Sequence, residues 1–273
     1  MSKHGQNNPP TASCKEIRSR DNPLFKGLKR LCQSARERQN TGKTLLDGAH
    51  LIRACEEASG PVEQLIVNES ASQQPEIAAL IAGRAATVLA ENLFRDIACV
   101  ETPSGIMAVV PIPASQAPDL AVDTVLLDGV QDPGNVGTLL RTAAAAGFRQ
   151  VLLSADCAGV WSPKVLRAGQ GAHFALSIVE DADLAAFLKA YPGTAAVTQL
   201  QDAVSLFDAP LQGPMAWVFG SEGQGVRPEV AAAAKLKIKI PMPGVAESLN
   251  VSAAAAVCLF ETVRRRQLNS AAG

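Results

Sequence analysis

Between residues 125 and 240 the chain repeats one pattern: a short run of Val, Leu and Ile, a loop, then a segment of helix-forming composition. The apolar runs fall at 125–130, 150–154, 174–178, 195–198, 216–219 and 236–240. Strands that are apolar along nearly their whole length are buried on both faces, and helices between them provide the crossovers that parallel pairing needs. The pattern predicts an α/β fold: a mostly parallel sheet with helices on both faces. Loops at the carboxyl ends of such strands converge on one edge of the sheet, where ligands bind. The chemistry is therefore to be sought in the loops.

Three loops stand out. The first, Asp132-Pro133-Gly134-Asn135, is a turn leading into a helix, with Asn135 as the expected N-cap. Arg141 follows six residues later on a helix otherwise poor in charge. That is under two helical turns, so its long side chain can lean back toward the loop as a phosphate or carboxylate clamp. The second loop places Gly220, Gly223 and Gly225 around Glu222. Glycine lets backbone approach a ligand closely. The third runs from Ile240 through Pro241, Met242, Pro243 and Gly244 to Ser248, Leu249 and Asn250, then into an Ala-rich apolar helix. Ser248 or Asn250 is placed to cap that helix, and Arg264, Arg265 and Arg266 are expected in its last turn. None of the three loops carries the G-x-G-x-x-G spacing of a dinucleotide site.

The first half of the chain reads differently. Residues 1–21 are polar and aperiodic, expected to be a disordered basic tail. From Asn22-Pro23 an amphipathic helix is expected, with Leu24, Leu28, Leu31 and Ala35 inward and Lys29, Arg30, Arg36 and Arg38 outward. A helix over 47–58, a strand over 64–67, a helix over 75–82, a strand over 86–89, a helix over 91–97 and a strand over 106–110 complete a small α/β domain spanning 22–113. Three prolines between Pro111 and Pro118 mark a linker over 114–120, with the second domain at 121–273.

Charge is distributed unevenly. The formal net charge is −1, yet residues 1–43 hold ten Lys/Arg against three acids, leaving fifteen basic and twenty-three acidic residues beyond them. A basic segment on an acidic body suits a phosphate-bearing partner. Arg167, with Lys164 in a short helix before a glycine turn, reads equally as an RNA contact or as solvated charge. The six cysteines are scattered without a C-x-x-C pair, which predicts reduced thiols and no metal site. No run is apolar for long enough to predict a membrane helix.

D-P-x-N-x-G…R at Asp132–Arg141, G-x-E-G at Gly220–Gly223 and I-P-M…S-L-N-x-S at Ile240–Ser252, in that order, resemble the three motifs of the SpoU (TrmH-like) family of SPOUT-class RNA 2′-O-ribose methyltransferases. More weakly, residues 22–113 resemble the substrate-binding domain that precedes the catalytic domain in many members. Two departures stand out: Asp47 where members usually carry Glu, and Gly169 where many carry Ser.

The resemblance implies a homodimer with a C-terminal trefoil knot, and the scattered cysteines suit a cytoplasmic protein. S-adenosylmethionine would be the cofactor and RNA the substrate, ribosomal RNA ahead of transfer RNA. It implies Asn135, Arg141, Glu222, Ser248 and Asn250 as the catalytic group, and Gly220, Ile240, Met242 and Leu249 as cofactor contacts. A catalytically silent RNA-binding protein of the same fold is the alternative, disfavoured because the whole catalytic group is present.

Overall fold

The computed structural model describes residues 15–98, 103–221 and 223–271. It divides into two compact units, one ending at Ile112 and taking in Trp161–Pro163, the other comprising the rest of the chain from Pro113 onward.

The first unit runs β1 (Lys15–Ile17), α1 (Pro23–Gln33), α2 (Ala35–Thr41), β2 (Lys43–Asp47), α3 (Ala49–Ser59), β3 (Gln64–Asn68), α4 (Pro75–Ile81), β4 (Ala86–Leu89), α5 (Glu91–Ile97) and β5 (Ile106–Pro111). Its sheet has the order β1-β4-β3-β5-β2, with β2 and β3 each antiparallel to β5 and the other pairs parallel. Phe25, Leu28, Ile66, Leu89, Phe94 and Met107 fill its core.

Three sequence expectations are corrected here. Lys15–Ile17, assigned to a disordered tail, is an edge strand parallel to β4, with Ile17 buried. The helix expected from Pro23 through Arg38 is two helices, because the Ser34 side chain accepts from Glu37 N at 3.2 Å and starts a new one. The helix expected from Asp47 is preceded by strand β2, whose Thr44–Asp47 side is buried against β5, and Gly48 at φ 115 makes the corner. The expectation of six reduced thiols also fails: Cys55, Cys157 and Cys258 are free, but Cys32 is disulfide-bonded.

The second unit runs β6 (Thr124–Asp128), α6 (Pro133–Ala145), β7 (Gln150–Leu153), α7 (Pro163–Gly169), β8 (Ser177–Val179), α8 (Leu184–Ala190), β9 (Thr194–Thr198), β10 (Val204–Ser205), β11 (Met215–Gly220), α9 (Pro228–Ala233), β12 (Leu236–Lys239) and α10 (Val251–Ala271). The seven strands are ordered β10-β12-β9-β11-β6-β7-β8 and every pair is parallel. The loops after β6, β9, β11 and β12 therefore all leave from the same edge. Leu126, Val197 and Val218 on one face pack with Leu184 and Leu188 of α8 and Val230 of α9. At α10, Trp217 of β11 donates from Nε1 to Thr262 Oγ1 at 3.1 Å.

Arg264–Arg266 do not lie in the last turn of α10, which continues to Ala271. They serve as side-chain staples instead. Buried Glu261 accepts from Arg264 Nε and from Arg265 Nε, both at 2.7 Å, and the Arg264 bond leads in pulling its carboxyl down to about 2. Arg266 grips Asp123, next to the start of β6, with two bonds of 2.6 and 2.8 Å.

The Gly169 departure has a local reason. A Cβ there would lie 2.5 Å from Cε1 of His173, whose ring is buried and donates from Nε2 to Val160 O at 3.0 Å. Desolvation lowers the His173 pKa from 6.5 to about 4. The unfolded chain then takes up a proton at higher pH than the folded one. This contribution is whole above the unfolded value and is lost as pH falls toward the folded one. By about pH 5 the loss should reach about 2 kcal/mol. Thermal denaturation between neutral pH and pH ~5 checks it: His173→Gln should show a shallower fall in Tm than the parent, and equal slopes would refute it.

Candidate active site

The second and third of the three loops, with the loop after β9, enclose a cavity of ≈ 320 Å³ at the carboxyl edge of the sheet in the second unit. Its wall contains Gly220 and Ser221 from the loop after β11, and Ile240, Met242, Ser248, Leu249 and Asn250 from the loop after β12. Phe219 and Ile238 bring apolar strand surface to it, and Thr198, Gln199 and Leu200 close the side next to β9. No charged side chain is among the described residues that line it. Every residue expected to touch a cofactor is on this one surface.

The glycine loop is folded back on itself. Gly225 N donates to Ser221 O at 2.9 Å, and Gly225 has φ +68. A Cβ at Gly220 would sit 2.2 Å from Gly225 C and 2.3 Å from Val226 N. Both are backbone atoms, so nothing larger than glycine fits at Gly220.

Asn135 is not the N-cap of α6. That role belongs to Asp132, whose Oδ1 accepts from Asn135 N at 2.8 Å, with Pro133 in the first turn. Asn135 lies in the first turn and looks toward the third loop. Asn250 Nδ2 donates to Asn135 Oδ1 at 3.0 Å, while Asn250 Oδ1 accepts from Ser252 N at 2.9 Å and so caps α10. Ser252 Oγ lies 3.1 Å from Asn135 Oδ1. The amino ends of α6 and α10 are thus tied together through side chains. Ser252 was not singled out from the sequence as a site residue, although it is the last Ser of S-L-N-x-S.

Arg141 is exposed on α6, and its guanidinium forms no hydrogen bond or ion pair among the described residues. Glu222 lies outside the described residues. Of the residues assigned to RNA, Arg36 is exposed, Lys29 is half-buried and Arg30 is exposed and bonds Glu37 through Nε at 3.2 Å. Arg38 is a correction. It is buried, and its Nη1 donates to Leu31 O at 2.8 Å and Cys32 O at 3.2 Å, capping orphan carbonyls at the end of α1. It is withdrawn as an RNA contact. Arg167 is half-buried on α7.

The sequence model of the SpoU rRNA Methylase family matches residues 123–260, a span that holds all three loops. The chain belongs to that family. A second model, of the MRM3-like substrate binding domain, matches residues 22–108. Among relatives, the 23S rRNA (guanosine(2553)-2′-O)-methyltransferase RlmP of Bacillus subtilis is 33% identical over 249 residues, covering 90% of this chain and 98% of that protein. The crystal structure of an RNA 2′-O ribose methyltransferase aligns with a TM-score of 0.80 at 30% identity, over 92% of this chain and 99% of that one. An AdoMet-bound rRNA methyltransferase from Sinorhizobium meliloti aligns with a TM-score of 0.78 at 27% identity, over 92% and 98%. The similarity thus extends over both units of this family member.

Among the described residues, no cluster of His, Cys, Asp and Glu could hold a metal ion, and no helix is long and apolar enough to cross a membrane.

Proposed function

We propose that this chain transfers a methyl group from S-adenosylmethionine to a ribose 2′-hydroxyl of ribosomal RNA, as a cytoplasmic homodimer with a knotted C-terminal segment. The observation that carries the reading is the joining of the α6 and α10 amino ends, through Asn135 and Asn250, at the mouth of a cavity lined by Gly220, Ile240, Met242 and Leu249. The cavity fits the cofactor in kind: apolar strand surface for a flat heterocycle, loop backbone for its polar edges, and a glycine where a Cβ would fill the wall.

S-adenosylmethionine supplies a methyl group already activated by its sulfonium. The protein's own residues must hold the ribose in line and stabilise charge on its oxygen, and positioning of this kind can supply about 7–11 kcal/mol in favourable cases. A guanidinium, with a pKa above ~12, is a poor base. Arg141 therefore acts as a cation beside the developing alkoxide, and an RNA phosphate or water receives the proton. Glu222 orients Arg141 in this scheme. Ser248 faces the same cavity, and Asn135 and Asn250 hold the two loops in register.

The finer parts of the proposal rest on particular features. Val257, Phe260 and Leu268 form an exposed apolar stripe on α10, 37%, 48% and 56% accessible, which supports a dimer. Placement of β12 between β9 and β10, with α10 returning to β11, supports a knotted path. Lys29, Arg30 and Arg36 support RNA contact by the first unit. Replacing these three with Ala should weaken RNA binding and lower its log–log salt slope by about 0.7–0.9 for each phosphate no longer neutralised. Cofactor affinity should not change. Arg38 is left in place because removing it would uncap α1. An unaltered salt slope would show that this face is only solvated.

Deletion of the gene, followed by mapping of 2′-O-methylation across ribosomal and transfer RNA, tests the function. Loss of one ribosomal site is expected. Loss confined to transfer RNA would overturn the substrate assignment.

A further inference from the structure

We infer that Asp128 is a positioning residue for the cofactor loop, acting through Arg227; this rests on the function proposed above. Asp128 is the last residue of β6 and is 2% exposed, a carboxylate at the end of an otherwise apolar strand. It does not line the cavity. Among the described residues its carboxylate bonds to Arg227. Arg227 N donates to Oδ2 at 2.8 Å, Arg227 Nε donates to Oδ1 at 2.8 Å, and Nη2 lies 2.7 Å from Oδ1. Backbone and guanidinium of Arg227 are thus held together by a single buried group.

The location gives this clamp its meaning. Arg227 directly follows the loop that begins at Gly220 and contains Ser221, Gly225 and Val226, all in the cavity wall. β6 and β11 pair in parallel with Gly220 opposite Asp128. The loop therefore leaves β11 beside Asp128 and is returned to it at Arg227, pinned at both ends to the same point of the sheet. Between the pins, Gly220 lies against Gly225 and Val226 with no room for a Cβ. A shift of the Arg227 pin moves the Gly225–Val226 backbone, and with it one wall of the cavity. A buried carboxylate bonded to a guanidinium is also costly to break from one side, because the remaining charge stays in the interior. Asp128 raises the Arg227 pKa, foremost through their side-chain bond.

The test compares the parent chain with Arg227→Ala, Arg227→Lys, Asp128→Asn and the double variant Asp128→Ala/Arg227→Ala. Arg227 is 45% exposed, so little packing is lost with its side chain, and the double variant, which strands no buried charge, keeps the test readable where a single variant does not fold. Affinity for S-adenosylmethionine is measured by calorimetry, alongside KM for cofactor and for RNA and the rise in Tm on adding cofactor. Arg227→Ala should weaken cofactor binding about tenfold. The cofactor-induced rise in Tm should shrink with it. KM for RNA should stay near the parent value, and Arg227→Lys should restore part of the loss. The double variant also loses the backbone bond to Asp128 and should bind cofactor at least as poorly as Arg227→Ala. A merely structural role would lower Tm without separating the two KM values, and that result overturns the inference. If the parent binds no S-adenosylmethionine, the functional reading falls and this inference with it. If the parent binds and Arg227→Ala binds equally well, only the positioning role fails.

Discussion

Arg141→Ala is expected to fold, to bind S-adenosylmethionine like the parent and to lose methyl transfer. The side chain lies on α6, outside the cavity formed by the loops after β9, β11 and β12, so cofactor affinity should be spared. Its side chain is exposed on the helix. Loss of one oriented electrostatic contact typically costs about 10²–10³ in turnover. Arg141→Lys should recover little, because an ammonium cannot reproduce the planar fork. Single-turnover rates at saturating RNA are the measurement. Transfer at near-parental rate by Arg141→Ala would reduce this residue to a phosphate contact.

Gly220→Ala should have the next largest effect, on cofactor binding and from a different cause. The added methyl would stand 2.2 Å from Gly225 C and 2.3 Å from Gly225 O, so the loop must open to admit it. Forced overpacking of this kind costs about 1–3 kcal/mol, or about 10–100-fold in cofactor affinity if the strain falls on the binding geometry. Gly223 gives the contrast within the same loop. A methyl group there would meet no described atom within 4 Å, so Gly223→Ala should bind cofactor nearly as well as the parent. Equal losses from both substitutions would mean that the loop closes differently when cofactor is bound.

The sequence was most readable where one physical rule acted alone. The strand at Ala86–Leu89 and the helix at Glu91–Ile97 lie where apolar pattern and turn residues place them. Misreadings came where two rules competed. Lys43–Asp47 carries no strict alternation, because nearly all of it is buried, and its last residues also fit the start of the following helix. Helical periodicity runs on across Ser34, but a serine hydroxyl can cap a new helix and here does so. Arg38 fits the polar side of an extended helix until that break turns it inward to the carbonyls of Leu31 and Cys32. At the site, Asp132 and Asn135 are both good caps, and only the backbone path decides between them. The three loops were legible as chemistry, yet the Asn135–Asn250 bond spans 115 positions and no local pattern contains it. Asp128 offered one weak signal, an acid inside an apolar run, without naming Arg227 as its partner.

The central claim is the transfer of a methyl group to a ribose hydroxyl of ribosomal RNA. The purified chain, incubated with methyl-labelled S-adenosylmethionine and ribosomal RNA lacking the modification, tests it most directly when the product is hydrolysed in alkali. A 2′-O-methyl group removes the hydroxyl that alkali needs to cleave the adjacent phosphodiester. Label recovered in an alkali-resistant dinucleotide from ribosomal RNA is the predicted result. Label recovered in mononucleotides would place the methyl group on a base, and no label in ribosomal RNA would deny the substrate; either would contradict the account.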